Sequence, residues 1–69
     1  MDMNFNHEER MLMMLYNTGT RMGLIHELRL MQCYLMPDET ALRELSEQAI
    51  EKLKRLTDAE FAGLEFPMN

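Results

Sequence analysis

The chain has 69 residues, a net charge of −5 and a single cysteine, Cys33. This length predicts one small domain, and the helical periodicity of its apolar residues makes it a single helical domain spanning residues 1–69. A lone cysteine excludes an intrachain disulfide. We interpret Cys33 as a small apolar filler rather than a reactive thiol. The negative charge repels phosphate backbones and so disfavours autonomous nucleic-acid binding. No signal peptide or membrane-length apolar run occurs, which predicts a soluble, cytoplasmic protein without membrane contact.

Nine of the residues are methionine, which is unusual for so short a chain. Methionine favours helix and packs adaptively because its side chain is unbranched and polarizable. Two interpretations follow. The methionines fill a helical core, which we favour, or they form a pliable surface that repacks against partners.

The first predicted helix begins at Asn6 and runs to about Asn17. The Asn6 side chain can accept a hydrogen bond from the backbone amide of Glu9, whose carboxylate can reach back. The apolar positions form one stripe that two further methionines widen: Met11, Leu12 and Leu15, then Met13 and Met14. A surface helix normally keeps a polar face. This helix is therefore either unusually buried or presents methionine to a partner.

The second predicted helix spans roughly residues 19–35. Before it, Asn17 and Gly19 suit the turn that ends a helix, and Thr18 or Thr20 can cap the next one. Its predicted core positions have helical spacing: Leu24, Leu28, Met31 and Leu35. Gly23 costs roughly 1 kcal/mol relative to alanine inside a helix, and a close backbone approach is one reason to place glycine there.

Pro37 separates the second and third helices, and Asp38 suits the capping position of the third. That helix covers about residues 39–55 and carries an apolar stripe: Leu42, Leu45, Ala49, Leu53 and Leu56. A capping box at 57–60 then opens a short fourth helix with Phe61 and Leu64 facing inward. The fold class is all-α, a small three-helix bundle with a short fourth C-terminal helix. Six residues should be among the most buried: Leu24, Leu28, Leu42, Leu45, Leu53 and Phe61.

No catalytic constellation occurs in the sequence. His7 and His26 lie far apart, and neither has a second histidine or cysteine at the spacing of helical metal ligands. No nucleophile motif or glycine-rich phosphate loop is present, and so small an interior leaves little room for a water-excluding pocket. We therefore expect no catalytic, cofactor-binding or metal site, and a protein that is not an enzyme.

A candidate partner-binding patch lies around the first helix connection. It comprises five residues: Tyr16, Thr18, Arg21, Ile25 and Arg29. Arg21 and Arg29 lie roughly 80° apart around the second helix, with Ile25 between them. Arginine and tyrosine are enriched at interface hot spots, which supports a contact role. The alternative is structural, with Arg21 bonding carbonyls at the end of the first helix or pairing with a carboxylate.

Three blocks carry a family resemblance over nearly the whole chain: YNTGTRMGLIHELR at 16–29, PDETALRELSEQAIEKL at 37–53 and LTDAEFAGLEF at 56–66. In this order and spacing the chain resembles the TTRAP family, the transposon-transfer assisting proteins of bacterial conjugative transposons. The residues that match the family pattern are Phe5, Thr18, Arg21, Leu24, Ile25, Glu27, Leu28, Arg29, Asp38, Leu53, Asp58 and Phe61. The resemblance implies a compact helical protein of a mobile element with a role in its transfer.

Three functions compete at this point. The leading hypothesis is a non-enzymatic accessory protein of a conjugative transposon that acts through contact with a protein partner, for which the conjugative transfer machinery is the candidate source. The second is an auxiliary DNA-binding protein of the transfer complex, which requires Arg10, Arg21 and Arg29 to form a basic patch. The third is an antagonist that mimics nucleic acid with its acidic third helix. The four basic residues on that helix make this hypothesis the weaker one.

Overall fold

The computed structural model describes residues 5–64. These residues form four α-helices and no strand, in the order α1 (His7–Tyr16), α2 (Arg21–Cys33), α3 (Thr40–Arg55) and α4 (Asp58–Ala62). The predicted class is therefore confirmed: an all-α bundle of three helices with a short fourth helix near the C-terminus. α3 packs against both α2 and α1, which contact each other less extensively.

Two helices begin at the predicted capping boxes. At α1, the Glu9 amide donates to Asn6 Oδ1 at 2.7 Å and the Asn6 amide donates to Glu9 Oε1 at 2.9 Å. At α4, the Glu60 amide donates to Thr57 Oγ1 at 3.1 Å and the Thr57 amide donates to Glu60 Oε1 at 2.9 Å. Each box provides partners for backbone amides that a helix start otherwise leaves unpaired.

The start of α3 differs from the prediction. Its capping position is Glu39 rather than Asp38, and no side chain there accepts from the first turn. The Glu39 carboxylate instead accepts from the Met36 amide at 2.8 Å, which closes the turn that contains Pro37. α2 is also shorter than predicted at both ends, because Thr20 is extended and Tyr34 leaves helical geometry.

The buried hydrophobic side chains form a cluster to which all four helices contribute: Phe5, Leu12, Met13, Leu24, Ile25, Leu28, Ala49, Ile50, Leu53, Leu56 and Phe61. The predictions for Leu42 and Leu45 are wrong, because both are only half-buried and pack at the edge of the cluster. The α3 core instead lies in its C-terminal part and includes Ser46 and Ile50. α1 is roughly 15 Å long and α3 roughly 24 Å, so α1 cannot cover both ends of α3.

Two further burial predictions need correction. Leu15 is 72% exposed, because the buried face of α1 is formed by Leu12 and Met13. Cys33 is exposed rather than an apolar filler, since it follows Leu24 by nine residues and so lies about 180° from it around α2. The methionines divide between core and surface: Met13 is fully buried, as the core interpretation predicts, whereas Met22 is 62% exposed.

Candidate functional site

The connection between α1 and α2 is closed by short-range hydrogen bonds. Asn17 Oδ1 accepts from the Gly19 amide at 2.9 Å, and Gly19 has φ +98°, a region that side-chain-bearing residues rarely adopt. Thr20 is the residue that caps α2, and its Oγ1 accepts from the Gly23 amide at 3.0 Å. The sequence left Thr18 and Thr20 as alternatives, and the structure selects Thr20.

Side chains approach Gly23 closely, in place of the close backbone approach that its position suggested. A methyl group at Gly23 would overlap Thr18 Oγ1 and would lie 2.7 Å from Thr20 Oγ1. The hydroxyl groups on either side of Gly19 therefore fold back over the first turn of α2. This explains why two threonines and two glycines occur within six residues of the chain: they build one tight turn.

Arg21 joins the beginning of α2 to the region where α3 ends and α4 begins. Its Nε donates to Asp58 Oδ1 at 3.0 Å and its Nη1 donates to the Leu53 carbonyl at 3.1 Å. The guanidinium side chain is 18% exposed, whereas Asp58 is 83% exposed. The structural alternative predicted that Arg21 pairs with a carboxylate or bonds to carbonyls at the end of α1. The structure shows the pairing with a carboxylate, and the carbonyl that Arg21 contacts lies in α3 rather than α1.

The five residues of the predicted partner-binding patch have different environments. Thr18 and Arg29 are exposed, and Arg29 forms no side-chain hydrogen bond or ion pair within residues 5–64. Arg21 is engaged as described above. Ile25 is only 5% exposed and belongs to the core, so its predicted place on an exposed patch needs correction. Tyr16 is half-buried and lines a groove between α1 and α2.

This groove has a volume of about 330 Å³ and is lined by Tyr16, Glu27, Leu30, Met31 and Tyr34. Glu27, Leu30 and Met31 have the spacing of one face of α2, and Tyr34 follows at the C-terminal cap of the helix, which explains why these side chains converge. Leu30 is 42% exposed and Tyr34 is 84% exposed, both high values for large hydrophobic side chains. Of these five residues, only Tyr16 belongs to the partner-binding patch predicted from the sequence. The exposed pair Leu30 and Tyr34 would have been visible as apolar residues on the polar side of α2.

A second feature that sequence reasoning missed is a buried ion pair. Glu9 is fully buried, and its Oε1 accepts from Lys52 Nζ at 2.8 Å in addition to the Asn6 amide. Lys52 Nζ also lies 5.6 Å from the centre of the Phe5 ring. Glu9 Oε2 is buried and has no hydrogen-bond partner within residues 5–64. The available signal was position, because Glu9 lies on the same helix face as Leu12 and Met13.

The family comparison matches the description "Putative transposon-transfer assisting protein" over residues 5–67. The chain belongs to this family. The match begins at Phe5, a core residue, and covers all four helices. No curated protein and no solved structure matches the chain. The family description refers to assistance in the transfer of a transposon.

The geometry of the described residues constrains the chemistry of the site. Within the described part of the chain, no three His, Cys, Asp or Glu side chains come together as a metal site would require. His7 and His26 are both exposed on different helices. None of the helices in residues 5–64 is long and apolar enough to cross a membrane. The arrangement presents one ion pair with a buried carboxylate, a second at the end of α3, and an open apolar groove.

Proposed function

We propose that this protein is a non-enzymatic accessory protein of a bacterial conjugative transposon, which assists transfer through contacts with a protein partner in the cytoplasm. The observation that carries the proposal is the groove of Tyr16, Leu30 and Tyr34 on a member of the transposon-transfer assisting family. Contiguous exposed apolar surface on a small protein marks an interaction site. Tyrosine is also among the residues that dominate binding energy at interfaces.

The use of the charged side chains supports contact over catalysis. Glu9, Lys52, Arg21 and Asp58 bond to one another or to the backbone and so maintain the bundle. A catalytic acid, base or nucleophile must instead be within reach of a substrate in a cleft. The grooves of this protein are shallow surface features that suit a protein side chain or helix.

The same geometry weighs against an auxiliary DNA-binding role. That role required a patch of Arg10, Arg21 and Arg29, but the charge of Arg21 is already balanced by Asp58. Arg10 Nε donates to the Phe5 carbonyl at 3.3 Å. A phosphate-binding patch needs several cations that are available to the backbone of the nucleic acid. The net charge of −5 further opposes approach to DNA.

The decisive experiment measures transfer of the element from a donor cell. Deletion of the gene should lower the transfer frequency, and expression of the parent chain in trans should restore it. Affinity purification from the complemented donor should capture a protein of the element. A mobility-shift titration with single- and double-stranded DNA is the control, and no salt-sensitive complex should form. Unchanged transfer after deletion contradicts the proposal, and specific DNA binding would establish the alternative.

A further inference from the structure

The groove between α1 and α2 contains an uncompensated negative charge. Glu27 is half-buried in its wall, and within residues 5–64 its carboxylate forms no hydrogen bond or ion pair. No lysine, arginine or histidine lines the groove. The phenol groups of Tyr16 and Tyr34 likewise have no hydrogen-bond partner in the described part of the chain. An apolar floor thus adjoins one carboxylate and two phenols.

We propose that this groove binds a basic amphipathic segment of a partner protein, with a lysine or arginine of that segment paired to Glu27. The inference deepens the proposed function and rests on it for the identity of the partner as a protein. Leu30 and Met31 provide the apolar contact for aliphatic side chains of the segment. The cation of the segment meets the carboxylate, and the electron-rich faces of the tyrosines add to its attraction.

Charge favours a cationic segment over the two other candidate occupants of the groove, which are a second copy of the chain and nucleic acid. A second copy of the chain would bind through the same surface on both molecules and would place two Glu27 side chains in one contact. Each copy also carries a net charge of −5, so the two would repel. Nucleic acid would bring phosphates against the same carboxylate. Only a cationic segment makes the groove electrostatically complementary.

The test uses two synthetic 18-residue helical peptides with the same leucine stripe, one flanked by lysines and the other by glutamates. Binding to the full chain is followed by fluorescence anisotropy, and the contact surface by chemical-shift changes of the labelled protein. The lysine peptide should bind and shift the amides of Glu27, Leu30 and Tyr34. The glutamate peptide should not bind, because it places like charges beside Glu27.

Matched variants separate the groove from general attraction to an acidic protein. Glu27→Gln should weaken binding of the lysine peptide about tenfold, whereas Glu44→Gln removes the same charge from an exposed α3 position and should change it less than about twofold. Tyr34→Ala should also weaken binding, and Leu15→Ala, which removes an exposed apolar side chain outside the groove lining, should not. Circular dichroism verifies that each variant keeps the helical fold.

Three results would overturn the inference. Equal weakening by Glu27→Gln and Glu44→Gln would mean that net charge alone attracts the peptide. Shifts confined to other surfaces would place binding elsewhere. A concentration-dependent dimer in sedimentation that Tyr34→Ala abolishes would assign the groove to a second copy. The transfer assay distinguishes the two proposals. If Tyr34→Ala fully restores transfer, the inference about the groove is contradicted and the proposed function still stands. If gene deletion leaves transfer unchanged, the proposed function itself is contradicted.

Discussion

The ion pair between Glu9 and Lys52 gives the sharpest stability prediction, because the two partners differ in burial. Glu9 is fully buried, whereas the Lys52 side chain is 30% exposed, and their Oε1 and Nζ atoms are 2.8 Å apart. The pair links the first turn of α1 to α3. Removing the lysine strands a buried carboxylate, whereas removing the carboxylate leaves an ammonium group that still reaches water. The two substitutions should therefore have unequal costs.

The magnitude follows from what each variant leaves behind. Breaking a buried pair by deleting one partner costs about 3–5 kcal/mol, and the partial exposure of Lys52 lowers this, so we expect about 2–4 kcal/mol for Lys52→Met. Part of this is the attraction to the Phe5 ring, about 0.5–1 kcal/mol. Glu9→Gln keeps an oxygen that can accept from the Asn6 amide and should cost about 1–2 kcal/mol.

Urea denaturation followed by circular dichroism at neutral pH measures both values, and the double variant closes a thermodynamic cycle. Because Glu9→Gln removes the charge that Lys52→Met strands, the double variant should be more stable than the sum of the two single losses predicts. Agreement with simple addition within about 0.5 kcal/mol would refute the coupling. A larger loss for Glu9→Gln than for Lys52→Met would refute the role assigned to burial.

Three other predictions concern the junction and the core, each measured by thermal and urea unfolding. Gly23→Ala should lower stability, because two threonine hydroxyls occupy the site of the added methyl group. A gain in stability, such as the roughly 1 kcal/mol that this substitution usually adds in a helix, would contradict this prediction. Leu53→Ala should cost about 2–5 kcal/mol and the half-buried Leu45→Ala clearly less, so equal losses would contradict the observed core. Arg21→Ala should cost about 1–3 kcal/mol through its bond to the Leu53 carbonyl, whereas the exposed Arg29→Ala should change stability by less than about 0.5 kcal/mol; matching values would contradict the assignment.

The features that the sequence predicted well are local. Both capping boxes join residues three positions apart, so the pattern alone identifies the partners of Asn6 and Thr57. Gly19 at the first connection is also predictable from local sequence, because its φ of +98° belongs to a turn of only a few residues. The helical class also follows from periodicity within single segments.

The features that the sequence did not predict depend on contacts between distant segments. The predicted stripe on α3 extends from Leu42 to Leu56, and only its part from Ala49 onward is buried. Which part of a long helix is covered depends on the lengths and positions of α1 and α2. Glu9 was recognised as a cap, whereas its bond to Lys52 joins residues 43 positions apart. The Arg21 contact with Asp58 spans 37 positions. A single sequence contains no pairing signal over such distances.

The separation between structural and functional residues follows from the same contacts. The stretch from Tyr16 to Arg29 concentrates residues that match the family pattern, which first suggested a binding patch. The structure gives most of them an internal reason: Ile25 is in the core, and Arg21 joins α2 to α3 and α4. A surface available to a partner must consist of side chains whose bonding capacity the fold leaves unused. Glu27 and its groove meet that condition, since the carboxylate forms no hydrogen bond or ion pair within residues 5–64 and lies beside the exposed side chains of Leu30 and Tyr34.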